Sequence, residues 1–325
     1  MAEGGPHGRA RRSDAEGVSC RAPPVQQVLD VVVNSLLAAG LYATMAYGLA
    51  VIYGVMRIIN LAHAGIMMLG AYTTFTLFTR FSIDPFLSIV VVVPLFFAGG
   101  VALHRTIVRR LPGTGSTPSM ESLLLLFGVW LVLQNLAYVL WSGDTQSILT
   151  SYTLRSVSLL GVRVGVPSLG VFGMSALSLL VLEFVLHRTY LGKAIRAVTQ
   201  NRDAALLHGV DADRISAVAF GVGTAFAGVA GGMLSTLYAF TPDFGRSFLL
   251  KAFCIIVLGG MDSVTGVAAG ALVLALLENG LSAWTTIPTS FQDAVSFALL
   301  FVALVAFPQG LPGLFTRLAR PRAVR

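Results

Sequence analysis

Glu278 stands inside the apolar run 266–286, and Asn60 and His63 stand inside the run 58–79. An ionisable or strongly polar group in such surroundings is costly, so it faces a cavity or a partner. A carboxylate there could meet the ammonium end of a small zwitterion or brace a neighbouring helix. Asn60 and His63, three apart, are read as sharing one helix face, where they either line a path or hydrogen-bond between helices. Other chemistry is not written in the chain. Gly192-Lys193 is followed by Ala194 and preceded at the required distance by His187, so no phosphate-binding loop is formed. There is no H-E-x-x-H and no G-x-S-x-G, and the five histidines do not cluster. Cys20 and Cys254 are too few and too scattered for a disulfide framework or a thiolate metal site. The sequence therefore offers no catalytic residue and no metal set.

The elements that carry these groups follow from composition. Hydrophobic residues are 55% of 325 and charged residues 11%, against roughly a quarter charged in soluble domains, and the mean hydropathy is +0.80. Apolar runs near 29–54, 58–79, 86–104, 121–141, 167–186, 214–238, 248–261, 266–286 and 293–310 approach the ~20 residues that a bilayer-crossing helix needs. The expected fold is all-α, a polytopic transmembrane bundle of eight or nine segments, spanning 28–313. One early span is expected to be broken or re-entrant. Glycines within the runs, as at Gly231-Gly232 and Gly266-x-x-x-Gly270, allow helices to approach closely. Residues 1–27, rich in Gly, Ala, Arg and Pro, read as a disordered tail and not as a signal peptide.

The net charge of +7 is explained by topology rather than by nucleic acid. Arg105, Arg109 and Arg110, then the segment 187–213, then the basic tail 314–325 should all be cytoplasmic. The charge-poor loops 142–166 and 239–247 should lie on the other side. An odd number of spans would place the N-terminus outside, against the arginines of the tail.

Within 187–213, "QNRDAALLHGVDADR" (200–214) is patterned as a short helix with defined ends. Asn201 is an N-cap, Asp203 lies at the positive end of the helix dipole, and Gly209 holds the position after the C-cap. A helix of two turns over 202–208 follows. "LGKAIRAV" adds an amphipathic piece before it, and Asp211 can cap the next span.

"DAALLHG", with Asp203, Ala204, Ala205 and Gly209, resembles the E-A-A-x-x-x-G cytoplasmic loop of ABC importer permeases, Asp replacing the usual Glu. "YGLAVIYGVMRIINLAHAGIMMLGAY" (47–72), "KAFCIIVLGGMDSVTGVAAGALVLALLE" (251–278) and "VSFALLFVALVAFPQGLPG" (295–313) resemble, in order, segments of the high-affinity branched-chain amino acid and urea permeases. The resemblance implies an inner-membrane importer subunit without its own ATPase, whose loop 187–213 rests on a separate ATP-binding subunit. It further implies two such ATPases holding the ATP, a second similar permease chain and an extracytoplasmic solute-binding protein. Arg196 and Arg202 become candidate ATPase contacts, or simply obey the positive-inside pattern. Branched-chain or related amino acids are the expected cargo, with urea or short amides as alternatives. A gradient-driven transporter centred on Glu278 is the rival reading, and it gives no reason for the capped loop. Segments 47–72 and 251–278 also resemble each other loosely, as the broken helices of inverted-repeat transporters do.

Overall fold

The computed structural model describes residues 24–110, 120–159, 161–260 and 264–284, together with 294, 298, 301 and 302. The described residues form ten α-helices: α1 (Pro24–Met56), α2 (Ala62–Phe81), α3 (Pro85–Thr106), α4 (Met120–Trp141), α5 (Val166–Arg188), α6 (Tyr190–Gln200), α7 (Arg202–Leu207), α8 (Ala212–Leu237), α9 (Gly245–Gly259) and α10 (Val264–Trp284). Six of them, α1, α3, α4, α5, α8 and α10, are long and apolar enough to cross a membrane. Helix α9 has 15 residues, about 22 Å of rise against a hydrocarbon core of about 30 Å.

Eight of the nine expected runs coincide with helices, with two differences. Helix α1 begins at Pro24, so residues 24–27 of the expected tail are helical, while 1–23, 314–325 and most of 293–310 lie outside the described residues. Helix α2 begins at Ala62 rather than at 58. Hydropathy does not register that break, because Ile58, Ile59 and Leu61 are themselves apolar.

A short antiparallel ribbon, β1 (Ser156–Leu159) and β2 (Val162–Gly165), joined through Gly161 at φ 85°, lies where only a loop was expected. It fixes one end of the bundle. Val162 and Val164 pack with Leu37 of α1, and Phe240, after α8, exchanges two backbone hydrogen bonds with Gln146. Asp84 accepts from the Phe86 N–H to cap α3 and from the Tyr152 hydroxyl at 2.8 Å. Burial first, and the Asp84 carboxylate second, push the Tyr152 hydroxyl up to about 12. The basic residues gather at the opposite end, where Arg109 after α3 meets Asp213 at the start of α8. The charge-poor loops and the basic loops thus occupy opposite ends, and α1 starts at the charge-poor one.

Helix α8 is the hub, packed against α1, α2 and α3. Its small residues make this possible. Gly231 sits so close to α2 that a Cβ there would come 1.8 Å from the Met67 carbonyl oxygen, a backbone atom that cannot swing away. Gly231→Ala should therefore push α2 from α8 and lower the unfolding temperature of the purified protein, whereas Gly99→Ala, where a Cβ meets nothing within 4 Å, should leave it unchanged. Outer faces of α3, α4 and α5 expose Val90, Leu124, Val132, Val139 and Leu180, which suits contact with lipid hydrocarbon.

Candidate functional site

The basic end carries α6 and α7. Thr189 caps α6 by accepting from the Gly192 N–H at 3.2 Å. Asn201 caps α7 by accepting from the Ala204 N–H at 3.0 Å. At the other end of α7 the Gly209 N–H reaches the Leu206 carbonyl and the Val210 N–H reaches the Ala205 carbonyl, both at 3.0 Å. That pair of bonds closes the helix through a left-handed residue, and Gly209, at φ 78°, supplies it. Asp211 then accepts from the Asp213 and Arg214 N–H groups to open α8. Helix starts in this loop are fixed by side chains and the end of α7 by backbone bonds, so it is a rigid element rather than a tether.

Ala205 is the buried face of α7, and Ala204 is half-buried. Asp203 and Arg196 are exposed. Arg202, a candidate ATPase contact or simply a positive-inside residue, reaches Asp213 at 3.3 Å, and Arg109 reaches the same carboxylate at 3.2 Å. One carboxylate therefore ties α7, the end of α3 and the first turn of α8. Leu206 and Leu207 were missed by the sequence reading, and they are the exposed apolar residues of α7, Leu207 at 88%. Two leucines in a two-turn surface helix whose inner face is alanine are the available signal.

Glu278 lies 4% exposed, with Oε1 3.0 Å from the Lys251 ammonium and Oε2 accepting from the Tyr42 hydroxyl at 2.5 Å. The Lys251 ammonium also stands over the Tyr42 and Phe248 rings. This cluster joins α1, α9 and α10. Lys251 and Tyr42 were not singled out from the sequence, although a lysine inside the run 248–261 was as conspicuous as the glutamate.

Asn60 and His63 do not share a helix face. Asn60 lies in the non-helical stretch 57–61, before α2, and His63 lies in the first turn of α2. His63 Nε2 is 3.1 Å from the Met45 carbonyl oxygen of α1, which fixes it as the donor nitrogen and leaves Nδ1 an acceptor. Asn60 is fully buried, and both of its side-chain polar atoms lack a hydrogen-bond partner.

The family described as "Branched-chain amino acid transport system / permease component" matches residues 31–304. The chain belongs to this family. The permease is 28% identical over 292 residues to the high-affinity branched-chain amino acid transport system permease protein LivH of Salmonella typhimurium, covering 86% of this chain and 94% of that protein. It is 27% identical over 304 residues to the permease protein BraD of Pseudomonas aeruginosa, covering 90% and 97%. Similarity to the xylose transport system permease protein XylH of Escherichia coli is 33% over 168 residues, covering 49% and 42%. No solved structure matches. The matched range of the permease takes in the capped pair α6–α7, the Lys251–Glu278 cluster and the break before α2.

The paired interruptions of the permease correct the inverted-repeat reading. Helix α1 runs from the charge-poor end toward the basic end, and α10 packs antiparallel to it, with Ser35 donating to the Ala275 carbonyl while the earlier Gln27 and Asp30 share a cavity with the later Asn279 and Ser282. Helix α9 runs antiparallel to α10, since Gly259 lies against Gly266 while Gly270 lies against Ile255. The two interrupted segments therefore point the same way through the bundle.

Proposed function

We propose that this permease is the membrane-spanning subunit of an ABC importer for branched-chain or related amino acids, working in the inner membrane on ATP hydrolysed by a separate subunit. The single observation that carries the reading is the capped α6–α7 pair, with Leu206 and Leu207 exposed at the basic end. The names of LivH and BraD supply the cargo class.

The proposed mechanism starts at α7, whose exposed leucines seat on an ATPase subunit. Movement of that subunit passes through Arg202 and Asp213 to the first turn of α8, and α8 packs against three further helices. A bistable packing of α8 against them then alternates access between the two sides. A second permease chain completes the path, a second ATPase completes the cytoplasmic pair, and an extracytoplasmic binding protein delivers the amino acid.

The test is reconstitution in proteoliposomes with the ATPase, partner permease and binding-protein subunits that co-purify with this chain. Leucine uptake should require ATP and the binding protein and should continue when a protonophore dissipates the proton gradient. Uptake that persists without ATP and collapses with the protonophore would establish the gradient-driven reading instead.

A further inference from the structure

Helix α2 begins deep inside the bundle. His63, in its first turn, is bonded to Met45, eleven residues before the end of α1, which is about 16 Å along that helix. Gly65, one residue further on from Ala64, lies against Trp130 and Leu133, ten and more residues into α4. The five residues 57–61 carry the chain from the end of α1 back to that level, with Arg57 turning it at φ 54°. The start of α2 is therefore placed midway through the thickness, and no side chain caps it.

An uncapped helix start presents the positive end of the helix dipole, and here the His63 and Ala64 N–H groups make only long bonds, of 3.3 and 3.4 Å, to the Asn60 and Leu61 carbonyls. A second such start lies beside it: a Cβ on Gly245, the first residue of α9, would come 2.4 Å from the Ala64 carbonyl oxygen, and α9 has no side-chain cap either. The nearby carboxylate of Asp243, which precedes α9, is engaged by Gln134 and Tyr138 of α4. At this point stands Asn60, fully buried, with its amide nitrogen and oxygen both unpartnered, and the unpartnered acceptor Nδ1 of His63 lies in the first turn. Buried polar atoms are normally paired, and a set left unpaired at a mid-membrane helix start has the chemistry of a ligand site.

We propose that the break between α1 and α2 binds the head group of the transported amino acid, the carboxylate on Asn60 Nδ2 and the start of α2, the ammonium on Asn60 Oδ1 and His63 Nδ1. The proposal rests on the importer reading above and names the residues that hold the cargo. Donors for an anion and acceptors for a cation occur together, so the site fits a zwitterion and not a simple anion. Both side chains are closed to solvent, so the head group enters when α2 and α9 part during the cycle.

The experiment uses the assembled transporter in nanodiscs without binding protein. Equilibrium binding of radiolabelled leucine is measured in competition with 3-methylbutylamine, which lacks the carboxylate, and 4-methylpentanoate, which lacks the ammonium. Both analogues should compete at least tenfold more weakly than leucine. Asn60→Ala should weaken leucine at least tenfold and erase its advantage over the amine. Asn60→Asp offers the helix start an internal carboxylate, so it should raise the unfolding temperature while lowering leucine binding at least tenfold. Opposite signs for stability and binding are not produced by a merely structural asparagine. Where wild-type binding is too weak to measure, maximal uptake at saturating leucine-loaded binding protein is read instead, with the same tenfold losses expected.

Leucine binding or uptake unchanged in Asn60→Ala would overturn the proposal, as would an unfolding temperature that falls in both variants with function intact, which marks a water-bridged packing role. Absence of ATP-dependent leucine uptake in the wild-type transporter would instead overturn the importer reading, so the two failures are distinguishable.

Discussion

Glu278→Gln is expected to lower the stability of the permease by about 3–5 kcal/mol, the usual effect of removing one partner of an enclosed ion pair. The size follows from where the pair sits. Lys251 and Glu278 are 7% and 4% exposed, and the ammonium that remains would be held among the Tyr42 and Phe248 rings without its carboxylate. Lys251→Met should be comparably damaging, because the carboxylate then keeps the Tyr42 hydroxyl but loses its counter-ion. The double variant Lys251→Met/Glu278→Gln should recover most of the loss, since a matched neutral pair is often no less stable than the ion pair it replaces. Denaturation of all four forms in nanodiscs, assembled as a double-mutant cycle, checks this. Additive losses would mean that the two side chains act separately. Leucine uptake by the double variant separates two roles for the glutamate: retained uptake makes the cluster a brace of α1, α9 and α10, and lost uptake with restored stability makes its charges part of transport.

How far the sequence discloses the molecule depends on the range of the interaction. The ends of α7 were legible because a cap is a contact within three or four residues: Asn201 to Ala204, Gly209 to Leu206, Asp211 to Arg214. The long helices were legible because hydrocarbon sets both their length and their composition. The Lys251–Glu278 pair was only half visible, as each charge is conspicuous in an apolar run but nothing local joins residues 27 apart, and Tyr42 lies 236 positions from Glu278. A break in an early span was expected, but its position at 57–61 was hidden for a different reason. Its residues are apolar because they are buried, and burial in protein cannot be told from burial in lipid by hydropathy. The engagement of Arg202 by Asp213 was hidden as well, since nothing local marks which arginine of a basic loop is paired.

Leu207→Asp should abolish the association of the permease with its ATPase and reduce ATP-dependent uptake at least tenfold, without unfolding the bundle. Leu207 is 88% exposed and Leu206 50%, and an exposed apolar pair on a capped helix marks a contact surface rather than a core. A carboxylate in the centre of such a contact would be desolvated without a partner, which explains why the effect should be far larger than that of trimming the same side chain to alanine. Stability should be unaffected, because Leu207 packs on nothing that the described residues supply. Gly209→Ala is the informative companion. It leaves both leucines in place and strains only the left-handed turn at φ 78°, a penalty of about 1 kcal/mol, so binding should weaken modestly while coupling between ATP hydrolysis and uptake loosens. Co-purification, ATP hydrolysis and uptake measured on both variants separate docking from transmission: Leu207→Asp should lose all three signals together, and Gly209→Ala should keep hydrolysis while fewer amino acids cross per ATP. An equal loss in both variants would make the turn part of the contact, and no loss in either would move the docking surface away from α7.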